Sequence, residues 1–456
     1  MRPFFATCLG AACTAALALP PTPAAARPAH PAAGPGRARV GNLPGATQSL
    51  PLDALGRAAP RAPAAPRRSV VRELTARTVR PFSLVGVVWD DASVALRGRA
   101  QVRTRARGSG TWSGWQELTN ASDDAPDPGA EKARDGSAAR GSTAPLWVGA
   151  SDAVQLRLTL TPGAGTDPAK GADAASVAVR APVVLPHGLR LELVDPGPNT
   201  SALRGGPPVS PEAAASAAAN APLAAPGATE IPAADQAAAR ADIAAAGEPA
   251  PNGPAHIGAR PRIVTRAGWG ADERLREARF VYTHAVRAAF VHHSATGNNY
   301  TCAQAPLVIR ALYRFHVKSS HWRDIGYNFL IDKCGTVYEG RAGGVAKPVL
   351  GAHTLGFNND STGIALLGSF QKTAPPPPAV EALGRLAAWK LGLHNADPRG
   401  RTPMTSTGGN LYRKGAVVRQ HVISGHRDGF KTECPGALLY ADLPAIRQTA
   451  ARLQGR

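Results

Sequence analysis

Phe290-Val291-His292-His293 is a short apolar run that ends in two histidines, and it reads as a buried strand delivering polar side chains at its end. Working outward, Leu307, Ala311, Leu312 and Phe315 recur at helical spacing. Tyr327–Ile331 and Gly363–Leu367 are two further short apolar runs, read as buried strands. Val380, Leu383, Ala387 and Leu391 form a second helical stripe. Asp442, then Pro444, then Ile446, Ala450 and Leu453, predict a C-terminal helix capped by Asp442 with the proline in its first turn. Strands alternating with helices predict an α/β domain over 259–456, a mixed β-sheet flanked by helices.

Further upstream the period changes to two. Val85, Val87 and Trp89 alternate with other residues, as do Val154, Leu156, Leu158 and Leu160, and then Leu189, Leu191 and Leu193. Val102 lies in a polar strand-like stretch ahead of Trp112 and Trp115. This pattern predicts a smaller all-β, sandwich-like domain over 78–196, with long polar loops at 120–144 and 162–174. Trp112-Ser113-Gly114-Trp115 could stack on sugar rings, or belong to a core or a contact surface. Residues 197–258 are rich in Ala and Pro and predict a linker, with fleeting helix around 233–246. Residues 27–77, rich in Ala, Pro, Gly and Arg, predict a disordered segment.

The 456 residues include 48 Gly and 42 Pro, so parts of the chain cannot build a core. Arg2, the apolar stretch Phe4–Leu19 and the small residues Ala24-Ala25-Ala26 predict a signal peptide at 1–26 and a secreted, extracellular or wall-associated protein. After its removal no apolar run is long enough to span a bilayer. Of 52 basic and 32 acidic residues, 26 basic and 12 acidic fall in 261–456. A basic domain favours anionic partners: nucleic acid, anionic lipid or an anionic wall polymer. No nucleic-acid motif accompanies the charge.

Signal cleavage leaves Cys302, Cys334 and Cys434. An odd count in a secreted chain asks for one pair and one thiol with another task. His292 or His293, with His426 and Cys434 eight residues later, could supply three zinc ligands and leave a fourth position open. That use of Cys434 would leave Cys302 and Cys334 to pair. In the competing reading His426 caps or packs and Cys434 is an ordinary buried thiol.

Several further strings occur in order. They are Ile263–Ala271, Phe290–Thr296, Asp324-Ile325-Gly326-Tyr327-Asn328-Phe329, Tyr338-Glu339-Gly340-Arg341, Gly351-Ala352-His353-Thr354, Ser361-Thr362-Gly363-Ile364, and Ser424-Gly425-His426-Arg427-Asp428 with Cys434-Pro435-Gly436. Together they resemble the peptidoglycan recognition protein family, within the zinc-dependent N-acetylmuramoyl-L-alanine amidases of the phage-lysozyme type. The resemblance covers about 260–456. It implies His292, His426 and Cys434 as ligands of one zinc ion, and Tyr327 beside the reacting water. Thr432 stands where phage-type members carry a lysine. The resemblance places His293, Thr296, Trp322, Arg341, His353 and Asn358 around the substrate groove. For Arg341 and His353 the competing reading is a structural hydrogen bond.

The implied reaction is hydrolysis of the amide between N-acetylmuramic acid and L-alanine in peptidoglycan. Tyr327 or Thr432 would donate a hydrogen bond to the oxyanion. Two other readings compete: a recognition module that binds peptidoglycan without cutting it, and an adhesive wall protein with a relict site. Non-catalytic relatives usually lack the cysteine ligand, and Cys434 is present here. The partners implied are peptidoglycan and other anionic wall polymers.

Overall fold

The computed structural model describes residues 45–52, 56–57, 70–119, 125–127, 129–130, 136–160, 185–198, 210–249 and 254–456. The expected signal peptide and the 162–174 loop lie outside them.

The N-terminal half is built from β1 (Ala46–Pro51), β2 (Gly56–Arg57), β3 (Val70–Trp89), β4 (Gly98–Ala106), β5 (Gln116–Leu118), β6 (Gly141–Ser142), β7 (Leu146–Leu160) and β8 (Arg190–Asp195). They form one antiparallel sheet in the order β1-β8-β3-β7-β4-β5, with β2 and β6 also pairing with β3. The 20-residue β3 shifts register against β7 at three places between Leu74 and Leu84. Such bulges bend and twist a strand. The sheet thereby closes over one core, in which Ala100 and Val102 of β4 share a cluster with Leu191 and Leu193 of β8.

The all-β expectation holds, but its edges move. β1 pairs with β8 along all six residues, and β3 starts at Val70, so part of the expected disordered 27–77 segment is sheet. The edge strand β1 has Leu50 as its one large apolar residue, so it leaves no periodic trace. Backbone pairing to β8 holds it instead.

The stretch read as a linker is also folded. Its elements are α1 (Pro211–Ala219), β9 (Glu230–Ile231), α2 (Gln236–Ala239) and α3 (Asp242–Ala246). Ile231, Ala239, Ile243, Ala246 and Ile257 are buried in the core of the C-terminal half. Ser210 and Asp235 cap α1 and α2 through their side chains. Alanine-rich composition here reflects close packing rather than a solvated tether.

The C-terminal half continues with β10 (Ile263–Val264), α4 (Arg266–Trp269), β11 (Ala288–His293), α5 (Ala305–Arg314), β12 (Phe329–Ile331), β13 (Val337–Glu339), β14 (Ser361–Leu366), α6 (Pro377–Gly392), β15 (Arg401–Thr405), β16 (Val417–His421), β17 (Ile423–Gly425), α7 (His426–Gly429) and α8 (Ala437–Leu453). A five-residue π-helical turn, Phe315–Ser319, extends α5. The mixed sheet runs β17-β11-β14-β12-β13-β10-β9; β17, β11, β14 and β12 are parallel to their neighbours in that series, and β12–β13 and β10–β9 are antiparallel. Strands β15 and β16 form a separate two-stranded sheet.

The last helix differs from its expectation. It begins at Ala437 after Gly436 and carries Pro444 in its interior, so Asp442 is not its cap. Pro444 has no N–H to give the carbonyl one turn earlier. Burial of Leu439, Leu443, Ile446 and Ala450 in the core shared with α6 offsets that loss. Among the described residues, no helix is long and apolar enough to cross a membrane.

The two halves share a packed interface. Along Leu84–Trp89 the odd-numbered Val85, Val87 and Trp89 face the β core, while Leu84 and Val88 pack with Val308, Ile309, Leu312 and Phe315. Strand β8 does the same, with Leu191 and Leu193 inward and Val194 outward. Gly86 makes the approach possible, because a Cβ there would lie 2.6 Å from the Phe315 ring. Arg310 of α5 donates to the carbonyls of Pro196 and Pro198, clamping the chain that leaves β8.

Candidate metal centre

Strand β11 is buried along its whole length between β14 and β17, both parallel to it. In such sheets functional groups gather at the carboxyl ends of the strands. His292 lies at that end of β11, and His426 follows directly on β17 as the first residue of α7. Cys434 returns to the same point, its backbone carbonyl accepting from Arg427 N at 3.0 Å. The three candidate ligand atoms of His292, His426 and Cys434 lie within 4.8 Å of one another, and all three residues are buried. Cys434 Sγ is 3.7 Å from His292 Nδ1. Ligands on one tetrahedral zinc stand about 3.5 Å apart, given Zn–S near 2.3 Å and Zn–N near 2.0 Å. Two imidazoles and one thiolate make a donor set that fits zinc.

The other nitrogen of His292 is held from behind. Thr354 Oγ1 lies 3.3 Å from His292 Nε2 and 3.0 Å from His353 Nδ1. Were Nδ1 to hold a metal beside Cys434, Nε2 would carry the His292 proton and donate to Thr354, whose hydroxyl could then donate to His353 Nδ1. Such contacts orient the ring, the usual task of groups behind a metal ligand. Gly351 and Gly363 leave the space His353 occupies, since a Cβ on either would lie 2.4 Å from its ring. Thr354 escaped the sequence reading, although it follows His353 within a recognised string, because a threonine carries no metal-ligand signature.

Tyr327 stands beside this centre, its ring 5.4 Å from that of His292. Its neighbours pin it. Gly326 N donates to His316 Nδ1 at 3.2 Å, and Asn328 bridges Val349 O and Gly363 N. His316 lies 5.9 Å from the Tyr327 ring and stacks on Trp322 at 4.3 Å. Thr432 Oγ1 accepts from Cys434 N at 3.1 Å, so its own hydroxyl proton is left to point elsewhere.

The residues expected around a groove divide. Arg341 donates to the carbonyls of Ile325 and Leu350, bracing the segment that carries Tyr327. His353 is fully buried behind His292. For both, these contacts match the competing structural reading. Asn358 Oδ1 accepts from the amides of His353 and Thr354, and its Nδ2 donates to Ala125 O from the N-terminal half. Thr296 is fully buried, its hydroxyl 2.8 Å from Ser294 Oγ and its carbonyl accepting from Trp147 N. Trp322 is buried against His316. His293, on the opposite face of β11 from His292, accepts from Phe370 N at 3.3 Å. Cys302 and Cys334 form a disulfide, as expected, with Cα atoms 6.2 Å apart. It ties the turn before α5 to the turn after β12.

The N-terminal half reaches the same loop. Asp127 Oδ1 accepts from Gly356 N at 2.7 Å, and burial pushes its carboxyl pKa up. This contact and the Asn358–Ala125 bond anchor the loop that bears His353 and Thr354. The sequence reading placed 125–127 in a polar loop without a task.

Comparison with known proteins matches residues 282–437 to the N-acetylmuramoyl-L-alanine amidase family and residues 35–180 to the family described as Rv3811 N-terminal galactose-binding domain-like. Over 183 residues the chain is 32% identical to peptidoglycan-recognition protein SC1a/b of Drosophila simulans, covering 40% of this chain and 83% of that one. It is 30% identical to protein SC2 of the same fly, covering 84% of it, and 30% identical over 184 residues to peptidoglycan recognition protein 1 of Bos indicus, covering 80%. The chain belongs to the peptidoglycan-recognition protein family, of the N-acetylmuramoyl-L-alanine amidase type.

Proposed function

We propose that this protein is a secreted, zinc-dependent amidase that hydrolyses the bond between N-acetylmuramic acid and L-alanine in peptidoglycan. The observation that carries the reading is the convergence of His292, His426 and Cys434 beside Tyr327. Bound by these three side chains, zinc supplies a Lewis acid for the scissile carbonyl and lowers the pKa of water towards ~7.

The chain's own groups do the rest. Thr354 and His353 hold His292 so that Nδ1 faces the centre. Thr432, whose oxygen is already engaged by the Cys434 amide, directs its hydroxyl proton to the developing oxyanion. Tyr327, pinned by Asn328, Arg341 and His316, relays a proton to the leaving amine of L-alanine. A second reading, recognition without cleavage, draws on the burial of the whole cluster, with His292 and His426 at 0% exposure.

The test uses the mature protein on purified peptidoglycan, scoring new alanine amino termini against new reducing ends, with and without a zinc chelator. The expected result is new alanine termini only, lost on chelation and in Cys434→Ser. Bound zinc and bound wall with no new termini would replace the amidase reading with recognition alone.

A further inference from the structure

Where β1, β3 and β8 meet the π-helical turn after α5, the surface opens into a cleft of about 480 Å³. Its walls carry Arg80, Arg140, Arg190, Arg314 and Lys318 against one lining carboxylate, Glu192. Glu192 is buried and accepts from Ser319 Oγ at 3.0 Å. Asp90 lies behind two of the arginines, 2.8 Å from Arg190 and 3.7 Å from Arg140. Asp195 interacts with Arg314. Asp272 also acts on Arg314, so five cations face four carboxylates, and the cleft keeps a small positive excess. Burial lowers the pKa of the Arg314 guanidinium, so confinement already weighs on its charge.

We propose that this cleft binds the phosphates of a phosphodiester-linked wall polymer. A carboxylate has two coplanar oxygens and saturates one guanidinium fork. A phosphate presents oxygens in several directions and can accept from cations on different walls at once. Here the cations come from β3, β8, the segment before β6, α5 and the π-helical turn, so five separate elements bring positive charge to one cleft. Its volume falls in the range of ligand sites, about 300–1,000 Å³, and exceeds what a single phosphate needs. The choice of a wall polymer over a nucleic acid rests on the amidase reading; the phosphate chemistry does not.

The site is composite. Arg80, Arg140 and Arg190 belong to the N-terminal half, and Arg314 and Lys318 to the C-terminal half. Lys318 shares its five-residue turn with His316, which contacts Gly326 and Tyr327. One turn therefore connects the cleft to Tyr327 beside the candidate metal centre, and a wall polymer held there would tether the cutting site to its surroundings.

The test is calorimetric titration of the full mature protein with a synthetic six-unit glycerol phosphate oligomer. The protein with Arg80→Glu and Lys318→Glu, both exposed, is compared with a control of equal charge change at exposed residues outside the cleft lining, Arg97→Glu with Arg452→Glu. Binding by the wild type and the control, weakened about tenfold or more in the cleft variant, is the expected result, with circular dichroism showing both variants folded. Equal weakening in cleft variant and control would overturn the proposal in favour of diffuse charge. Tighter, cleft-dependent binding of a six-residue oligothymidylate would overturn the wall polymer in favour of nucleic acid. Displacement by inorganic phosphate at the same concentration per phosphate would reduce the site to a single-phosphate one. Peptidoglycan cleavage by the wild type is scored separately, so a failed amidase reading would not be mistaken for a failed cleft.

Discussion

His292 is fixed from two directions, by its strand and by the Thr354 hydroxyl, and the second is the testable one. Thr354→Val keeps the shape and removes the hydrogen bond. Zinc affinity should fall about 10–100-fold, read by competition with a chelating dye, while the thermal midpoint moves little; unchanged affinity would show that the strand alone orients the ring. A second residue, Glu339, is fully buried between Asn220 Nδ2 and Arg266 N, and burial pushes its carboxyl up to about 7 from 4.5. Between those values the folded state holds a proton that the unfolded state has lost. Stability contributed by this group is therefore present below about pH 4.5 and lost as pH rises through about 7. Glu339→Gln should flatten the melting temperature over that window, and an unaltered slope would assign it to other groups. The three candidate ligand residues were legible through the family resemblance, since spacing alone left His292 and His293 as alternatives and Cys434 open to reading as an ordinary thiol. Thr354 was not, since a buried threonine usually does nothing more than satisfy a neighbour. Asn358 and Thr296, expected at the groove, also bond to backbone and hydroxyl partners that one sequence cannot reveal.

Among elements, the expected linker over 197–258 departs most from its sequence reading. Low complexity hid three isolated anchors, Ile231, Ile243 and Ile257, which lie too far apart to show a period yet enter one core. Ile231→Ala should cost about 2–5 kcal/mol, visible as a lower denaturation midpoint; a change under ~0.5 kcal/mol would mean the segment only rests on the surface. By contrast α5 and α6 were plain from their apolar stripes, although both are buried on more than one face. The helix α8 was legible in kind but not in extent, as a proline inside a helix reads as a start signal until packing overrides it. Loss of the Cys302–Cys334 bond, which closes a separation of 32 residues, should destabilise by about 3–4 kcal/mol, measured on the Cys302→Ser/Cys334→Ser variant. An unchanged midpoint would place that loop's order in its hydrogen bonds.

At the scale of the molecule, the continuous run Leu84-Val85-Gly86-Val87-Val88-Trp89 held a message that its alternation concealed. A strand apolar on both faces is buried on both faces, and here the second face is covered by α5 and the π-helical turn. Calorimetry of the full chain should show one cooperative transition, and Leu84→Asp should lower it as a whole. Two separate transitions, with only one moved, would mean the halves are coupled loosely. The fold class of each half was legible because periodicity reports what one element buries. Their docking was not, because it depends on pairs of surfaces more than a hundred residues apart in the chain.

That distance has a consequence during synthesis. Strand β8 ends at Asp195, and α5 begins at Ala305, about 110 residues later. Any nascent chain emerging in order therefore presents Leu84, Val88, Trp147 and Val194 before their cover exists. The early half must wait as an incomplete surface, attractive to holdase chaperones and to its own copies, until Phe315 arrives to close over Gly86.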